Sequence, residues 1–254
     1  MLEIHQIPVL KDNYVYLLHD PASGATAVVD PAEAGPVLEA LSELGWTLAY
    51  VLNTHHHWDH VGGNLDLKRQ TGCRVCGPER DRGNIPGLDD GLGEGDALRL
   101  GGIEAQVLAV PGHTQGHIAY WFKEGRALFC GDTLFAMGCG RLLGGTAEQL
   151  WHSLSRLRAL PDETRVYCAH EYTETNGRFA LTLEPGNPAL SERMAQVRAL
   201  RGAGRPTVPS LLAEEKATNP FLRPESLEIQ KALGLSGADP VRVFAETRRR
   251  KDVF

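Results

Sequence analysis

Apolar residues recur through the first two thirds of the chain in runs of strand length: "YVYLLHD", "TAVVD", "LAYVLNT", "RVCG", "IEAQVLAV", "IAYWF", "ALFCGD" and "VYCAH". They are rich in Val, Tyr, Phe and Leu, the mark of buried β-strands. Between some of them the period changes. Val37, Leu38, Leu41 and Leu44 share one helical face, and Leu150, Leu154 and Leu157 share another. Strands mixed with helices predict an α/β architecture, two packed sheets flanked by helices. Beyond about His170 the texture shifts. Helical spacing runs over Pro188 to Leu200, Glu225 to Leu233 and Val241 to Arg249, and Pro206, Pro209, Pro220 and Pro224 interrupt the intervals. The tail is expected to be all-helical. There is no internal repeat or low-complexity tract.

A length of 254 residues accommodates one large core, or a domain with a smaller appendage. The formal charge of −6 offers no broad electropositive surface for nucleic acid. No stretch approaches the roughly 18 apolar residues of a membrane span, and "MLEIHQIPVLKDN" lacks the layout of a secretion signal. Five cysteines, an odd number, argue for reduced thiols in a cytoplasmic protein.

Chemistry concentrates in "NTHHHWDH", Asn53 to His60. Drawn as an extended segment, it projects His55, His57 and Asp59 to one side and His56 and Trp58 to the other, with His60 swinging in from the turn at "VGGN". Lone loop histidines are mostly structural or solvated. Here three further strand-like runs end in ligand-type residues: "VLAVPGH" at His113, "ALFCGD" at Asp132 and "VYCAH" at His170. Strand ends of an α/β fold gather on one edge, where sites are built. Seven donors overfill a tetrahedral zinc site, so the count predicts two adjacent divalent ions sharing a carboxylate. Asp132 is the expected bridge, because a carboxylate offers two oxygens and an imidazole one free lone pair. Nitrogen and carboxylate donors suit zinc, iron or manganese.

"THHHWDH" is similar to the T-H-x-H-x-D-H signature of the metallo-β-lactamase superfamily, and "PGHTQGH", "CGDTLF" and "HEYT" follow in that superfamily's order. With "EPGNPAL", "TNPFLR" and "RRRKD" the resemblance extends over the tail to the glyoxalase II family, the hydroxyacylglutathione hydrolases. It implies an αββα sandwich over residues 1–170 and a smaller helical substrate-binding domain over 171–254. It also implies His55, His57 and His113 on one metal, Asp59, His60 and His170 on the second, and Asp132 between them, zinc foremost. Tyr172, Arg248 and Lys251 would grip glutathione. Arg141 stands where the family commonly has lysine and keeps the charge. Leu143 stands where tyrosine is common and loses the hydroxyl.

The implied activity is hydrolysis of S-(2-hydroxyacyl)glutathione, such as S-D-lactoylglutathione, by a monomer, in methylglyoxal detoxification. Metal binding lowers the pKa of water from about 15.7 to about 7, supplying a metal-bound hydroxide held with the help of Asp59 and Asp132. The departing thiol has a pKa of about 8.5 and needs no strong general acid. The alternatives are a single-iron persulfide dioxygenase and a non-catalytic metal-binding relative. No G-x-S-x-G supplies a serine nucleophile, and no G-K-[ST] closes a phosphate loop.

Weaker signals stay open. Cys73 and Cys76 in "CRVC" fit buried strand packing better than a metal or redox pair, Cys130 and Cys168 read as core residues, and Cys139 has no assigned role. Asp30 either supports a metal-bound histidine by a hydrogen bond or caps the turn before Pro31. Asn13 and Tyr14 are candidates for the cavity wall, Tyr14 equally for the core. "TRRRKD" suits a solvated helix end as well as a carboxylate grip, although Arg248 and Lys251, three apart, share a face. Arg248→Ala or Lys251→Ala should raise KM for glutathione thioesters more than it lowers kcat. An unchanged KM in both variants removes these residues from the substrate site.

Overall fold

Strand β1 (Glu3–Val9) pairs antiparallel with β2 (Asn13–Asp20), and β2 with β3 (Ala25–Val29). From β3 the pairing turns parallel through β4 (Thr47–Leu52), β5 (Arg74–Pro78) and β6 (Asp90–Leu92), completing a six-stranded mixed sheet. The parallel crossovers carry α1 (Ala34–Leu44), the short α2 (Trp58–Val61) and α3 (Asn64–Thr71). Four more strands, β7 (Ala97–Leu100), β8 (Ile103–Ala109), β9 (Ile118–Phe122) and β10 (Ala127–Gly131), pair antiparallel in the order β10-β9-β8-β7. The computed structural model describes residues 1–254 and resolves them into two compact units. These elements form the first, Met1–Val110 with Gln115–Gly131.

Side-chain alternation explains the layering of this unit. Val15, Leu17, Val28 and Val51 pack with Val37 and Leu41 of α1 and Leu67 of α3 on one face of the mixed sheet. On the other face Tyr16 meets Phe129 of β10 edge-on at 5.5 Å, and Phe129 meets Phe122 at 5.8 Å. All eight residues of β2 are buried, which is why "YVYLLHD" reads as a nearly continuous apolar run rather than an alternating one. Each large apolar side chain removed from water contributes about 1.5–3 kcal/mol.

The second unit, Pro111–Thr114 with Asp132–Phe254, is mainly helical. It holds the hairpin β11 (Leu134–Phe135) and β12 (Gly138–Cys139), and the pair β13 (Arg165–Cys168) and β14 (Ser210–Leu211). Six helices follow one another: α4 (Ala147–Arg158), α5 (Thr173–Leu183), α6 (Pro188–Gly202), α7 (Leu212–Thr218), α8 (Leu227–Leu233) and α9 (Pro240–Asp252). The helical spacings noted in the tail correspond to α6, α8 and α9. Helix α4 begins with a capping box, in which the Thr146 hydroxyl accepts from Gln149 N–H and the Gln149 side chain accepts from Thr146 N–H. Helices α6 and α9 start from Asn187 and Asp239 with proline at the first helical position. Helix α5 was not anticipated, since "TETNGRFALTL" is weak in helix formers; buried Phe179, Ala180 and Leu183 hold it by packing.

A buried carboxylate ties this unit together. Glu215, fully buried, accepts from the Arg193 guanidinium, from Asn219 Nδ2 at 3.0 Å and from the Met137 N–H at 2.8 Å. Asn219 Nδ2 also reaches the carbonyls of Phe135 and Gly138. Removing one member of a buried pair strands the other's charge. Glu215→Ala should therefore lose about 3–5 kcal/mol of stability, read as a lower urea midpoint; a midpoint within error of the parent would show that the network is dispensable.

Candidate metal centre

Parallel pairing sets Val29 of β3 opposite Leu52 of β4, so Asp30 and the Asn53–Thr54 segment leave the sheet side by side. Asp30, at a positive φ of 50°, accepts the Thr54 N–H on Oδ1 and the Thr54 hydroxyl on Oδ2, both at 2.7 Å. Its Oδ2 also lies 3.1 Å from His60 Nδ1. Of the two roles open to Asp30, the hydrogen bond to a histidine ring is the one it adopts. An ionised carboxylate only accepts, so His60 carries its proton on Nδ1 and keeps the Nε2 lone pair. The same logic passes along the chain. With the Thr54 hydroxyl proton directed to Asp30, Thr54 Oγ1 accepts from His55 Nδ1 at 3.0 Å, and His55 Nε2 keeps its lone pair. That nitrogen lies 3.0 Å from His57 Nδ1. Two nitrogens bound to one tetrahedral cation at about 2.0–2.1 Å stand about 3.3 Å apart, so this spacing suits a shared ion.

The extended alternation expected for His55, His57 and Asp59 is not how the structure arranges them. Strand β4 ends at Leu52, and residues 58–61 form the helical turn α2. The turn is set by tertiary packing: a Cβ on Gly62 would lie 2.4 Å from the Ala32 carbonyl oxygen. Asp59 therefore projects from a helix start, its Oδ2 3.6 Å from His60 Nε2 and held by Asn13 Nδ2 at 3.1 Å. Tyr14 is buried. His117, which sequence reading passed over, stacks on the His55 ring with centroids 4.6 Å apart.

In the second unit Asp132 turns one oxygen to each of two imidazoles, Oδ2 3.4 Å from His113 Nε2 and Oδ1 3.3 Å from His170 Nε2. All three residues are buried. The Arg141 carbonyl accepts from His113 Nδ1 at 2.8 Å, which again leaves Nε2 with the lone pair. Arg141 thus contributes its carbonyl as well as carrying a guanidinium. His170 stacks flat on Tyr172 at 4.8 Å. The Leu143 side chain is exposed, and its N–H donates to the His113 carbonyl. Arg248 is only 5 % exposed, with Nη1 on the Cys139 carbonyl at 2.9 Å, Nε on Asp252 at 3.1 Å and the guanidinium over the Phe221 ring. The Lys251 ammonium lies over Phe179 and Phe254, and burial, helped by the Arg248 charge, lowers its pKa.

Asp30, His55 and His60 bring their donor atoms within 4.8 Å of one another. The buried histidine and aspartate clusters, offering imidazole nitrogens and carboxylate oxygens without thiolate, are consistent with a binuclear metal site.

The family model of the metallo-beta-lactamase superfamily matches residues 10–170, and that of the hydroxyacylglutathione hydrolase C-terminus matches residues 171–254. A hydroxyacylglutathione hydrolase of Methylococcus capsulatus is 68% identical over 254 residues, 100% of this chain and 99% of that protein. One of Rhodospirillum rubrum is 57% identical over 253 residues, with 100% and 99% covered. Among solved structures, ETHE1 from Myxococcus xanthus superposes with a TM-score of 0.68 at 29% identity, covering 99% of both chains.

Asp30 has a specific consequence for ion binding. Removing a hydrogen-bond partner that orients a ligating histidine costs about 10–100-fold in metal affinity. Asp30→Ala is expected to weaken Zn²⁺ binding by that factor in competition with a chromophoric chelator, and undiminished affinity would reduce Asp30 to a turn residue.

Proposed function

Because the chain belongs to the hydroxyacylglutathione hydrolase family of the metallo-β-lactamase superfamily, we propose that it hydrolyses S-(2-hydroxyacyl)glutathione, such as S-D-lactoylglutathione, to glutathione and a 2-hydroxy acid. The observation that carries this reading is the 68% identity across the full length, tail included. The fold is that of the superfamily, two sheets with a helical C-terminal region. The implied role is methylglyoxal detoxification in the cytoplasm, by a monomer. No helix of the chain is long and apolar enough to cross a membrane. Residues 1–170 serve as the catalytic domain and 171–254 as the substrate-binding domain, the division at which the two family matches meet.

By the family resemblance, His55, His57 and His113 would hold one divalent ion and Asp59, His60 and His170 the second, with Asp132 as the shared carboxylate. Zinc is the foremost candidate, with iron or manganese as the other choices. Support comes from the donor chemistry: Asp30, Thr54 and the Arg141 carbonyl engage Nδ1 of His60, His55 and His113, so each presents Nε2. Asp132 faces two imidazoles with different oxygens, as a bridging carboxylate must. Bound divalent cations supply an acidified water as nucleophile at neutral pH and positive charge for the oxyanion.

The protein's own side chains position the substrate. Glutathione carries two carboxylates and one ammonium, and Arg141, Arg248 and Lys251 complement its net negative charge. Arg248 donates from Nη1 to the Cys139 carbonyl, and its Nε and Nη2 both lie on Asp252 Oδ1, which fixes its plane. Tyr172, stacked on His170 and 38 % exposed, offers a hydroxyl. Leu143 contributes no hydroxyl contact. The leaving thiolate departs unaided, its parent thiol having a pKa of about 8.5.

Thiol release from S-D-lactoylglutathione tests the reading directly. The purified protein should release thiol, lose that activity on chelator treatment and regain it with Zn²⁺, Mn²⁺ or Fe²⁺. Turnover that survives exhaustive chelation would sink the metal-dependent mechanism, and an inert metal-loaded protein would sink the substrate assignment.

A further inference from the structure

His56, the middle histidine of "HHHWDH", has no place in the proposed ligand set. Its Nδ1 lies 2.8 Å from Oδ2 of Asp81. Asp81 closes the 3₁₀ turn Glu79–Asp81 and is 5 % exposed, an expensive position for a carboxylate unless it is hydrogen-bonded. Its carboxylate also presses on a second segment: a Cβ on Gly116 of "PGHTQGH" would fall 2.4–2.5 Å from the carboxylate atoms. The next residue is His117, whose ring stacks on His55. The two ends of the histidine segment are tied elsewhere, Thr54 to Asp30 and the His60 carbonyl to Asn53 Nδ2 at 2.9 Å. His56 holds the crest between them.

We propose that Asp81 is a positioning residue which, through His56 and by contact with Gly116, braces the histidine segment so that His55 and His57 keep the spacing a shared divalent cation needs. The hydrogen bond fixes the backbone on both sides of His56, and Gly116 seats the ring that backs His55. This rests on the reading of His55 and His57 as metal ligands. Asp81 touches neither substrate nor ion, and it acts only by removing alternative loop conformations that the ion would otherwise have to suppress on binding.

The test is Zn²⁺ affinity of the full-length, metal-stripped protein, measured by competition with a chromophoric chelator. His56→Ala should weaken binding about tenfold and Asp81→Ala at least as much, and the double variant should be no weaker than Asp81→Ala, because Asp81 carries both the hydrogen bond to His56 and the contact with Gly116. Asp81→Asn should recover most of the loss, since its amide oxygen accepts the same hydrogen bond. The urea midpoint of metal-free His56→Ala should match the parent, separating bracing from general destabilisation; this variant also decides the matter if Asp81→Ala fails to fold. Parental Zn²⁺ affinity in His56→Ala, additive losses in the double variant, or an affinity loss accompanied by an equal fall in the metal-free midpoint would overturn the proposal. His55→Ala is the control. If it binds Zn²⁺ like the parent, the ligand assignment itself fails; if it alone loses affinity, only the bracing does.

Discussion

An imidazole has two nitrogens, and everything distinctive about this chain follows from which of the two is committed to the protein. His60, His55 and His113 each give Nδ1 to an acceptor, respectively Asp30, Thr54 and the Arg141 carbonyl. Burying a ring that has both nitrogens unsatisfied is costly, whereas burying one with a single nitrogen satisfied leaves a directed lone pair. Three unlike acceptors, a carboxylate, a hydroxyl and a peptide oxygen, produce the same tautomer. The common result points to a requirement on Nε2 rather than to convenience of packing.

The acceptors themselves depend on the sheet. Asp30 meets Thr54 because β3 and β4 run parallel with Val29 opposite Leu52; one residue of slip would carry the carboxylate to the other face. Gly131 serves the same junction, with a φ of 48° and a position at which a Cβ would stand 2.2 Å from Thr54 Oγ1. A side chain there would displace the hydroxyl that orients His55. Strand register, backbone conformation and imidazole tautomer are thus successive links of one chain.

The strand-end residues His113, Asp132 and His170 were legible because buried strands write long apolar runs, and the first polar residue after each stands out. The geometry of His55 to Asp59 was not legible. An alternating pattern assumes that the strand continues, but β4 stops at Leu52, and the turn that follows is imposed by contact of Gly62 with Ala32, thirty residues earlier. Partnerships of the same reach, Asp30 with Thr54 and Asp81 with His56, leave no periodic trace, since they exist only once the parallel strands have paired. The expected division of donors between two ions came from family resemblance and not from spacing. In the tail, α6 and α9 declared themselves through their caps, whereas α5 forms on packing around Phe179, which no propensity scale reports.

The five cysteines bear on the chemistry by standing aside from it. All are buried. Burial pushes the thiols of Cys76 and Cys168 up to about 12 and that of Cys139 up to about 11, the last despite Arg248 close by. Only a thiolate attacks a thioester, so raising these thiols lowers the reactivity of their sulfurs toward an acyl-glutathione. A protein that handles thioesters beside a thiol product gains from that inertness. An accessible thiolate near the site would compete with water for the acyl group. Burial of sulfur and display of Nε2 are therefore complementary conditions, the first holding back a competing nucleophile and the second leaving directed lone pairs for metal binding.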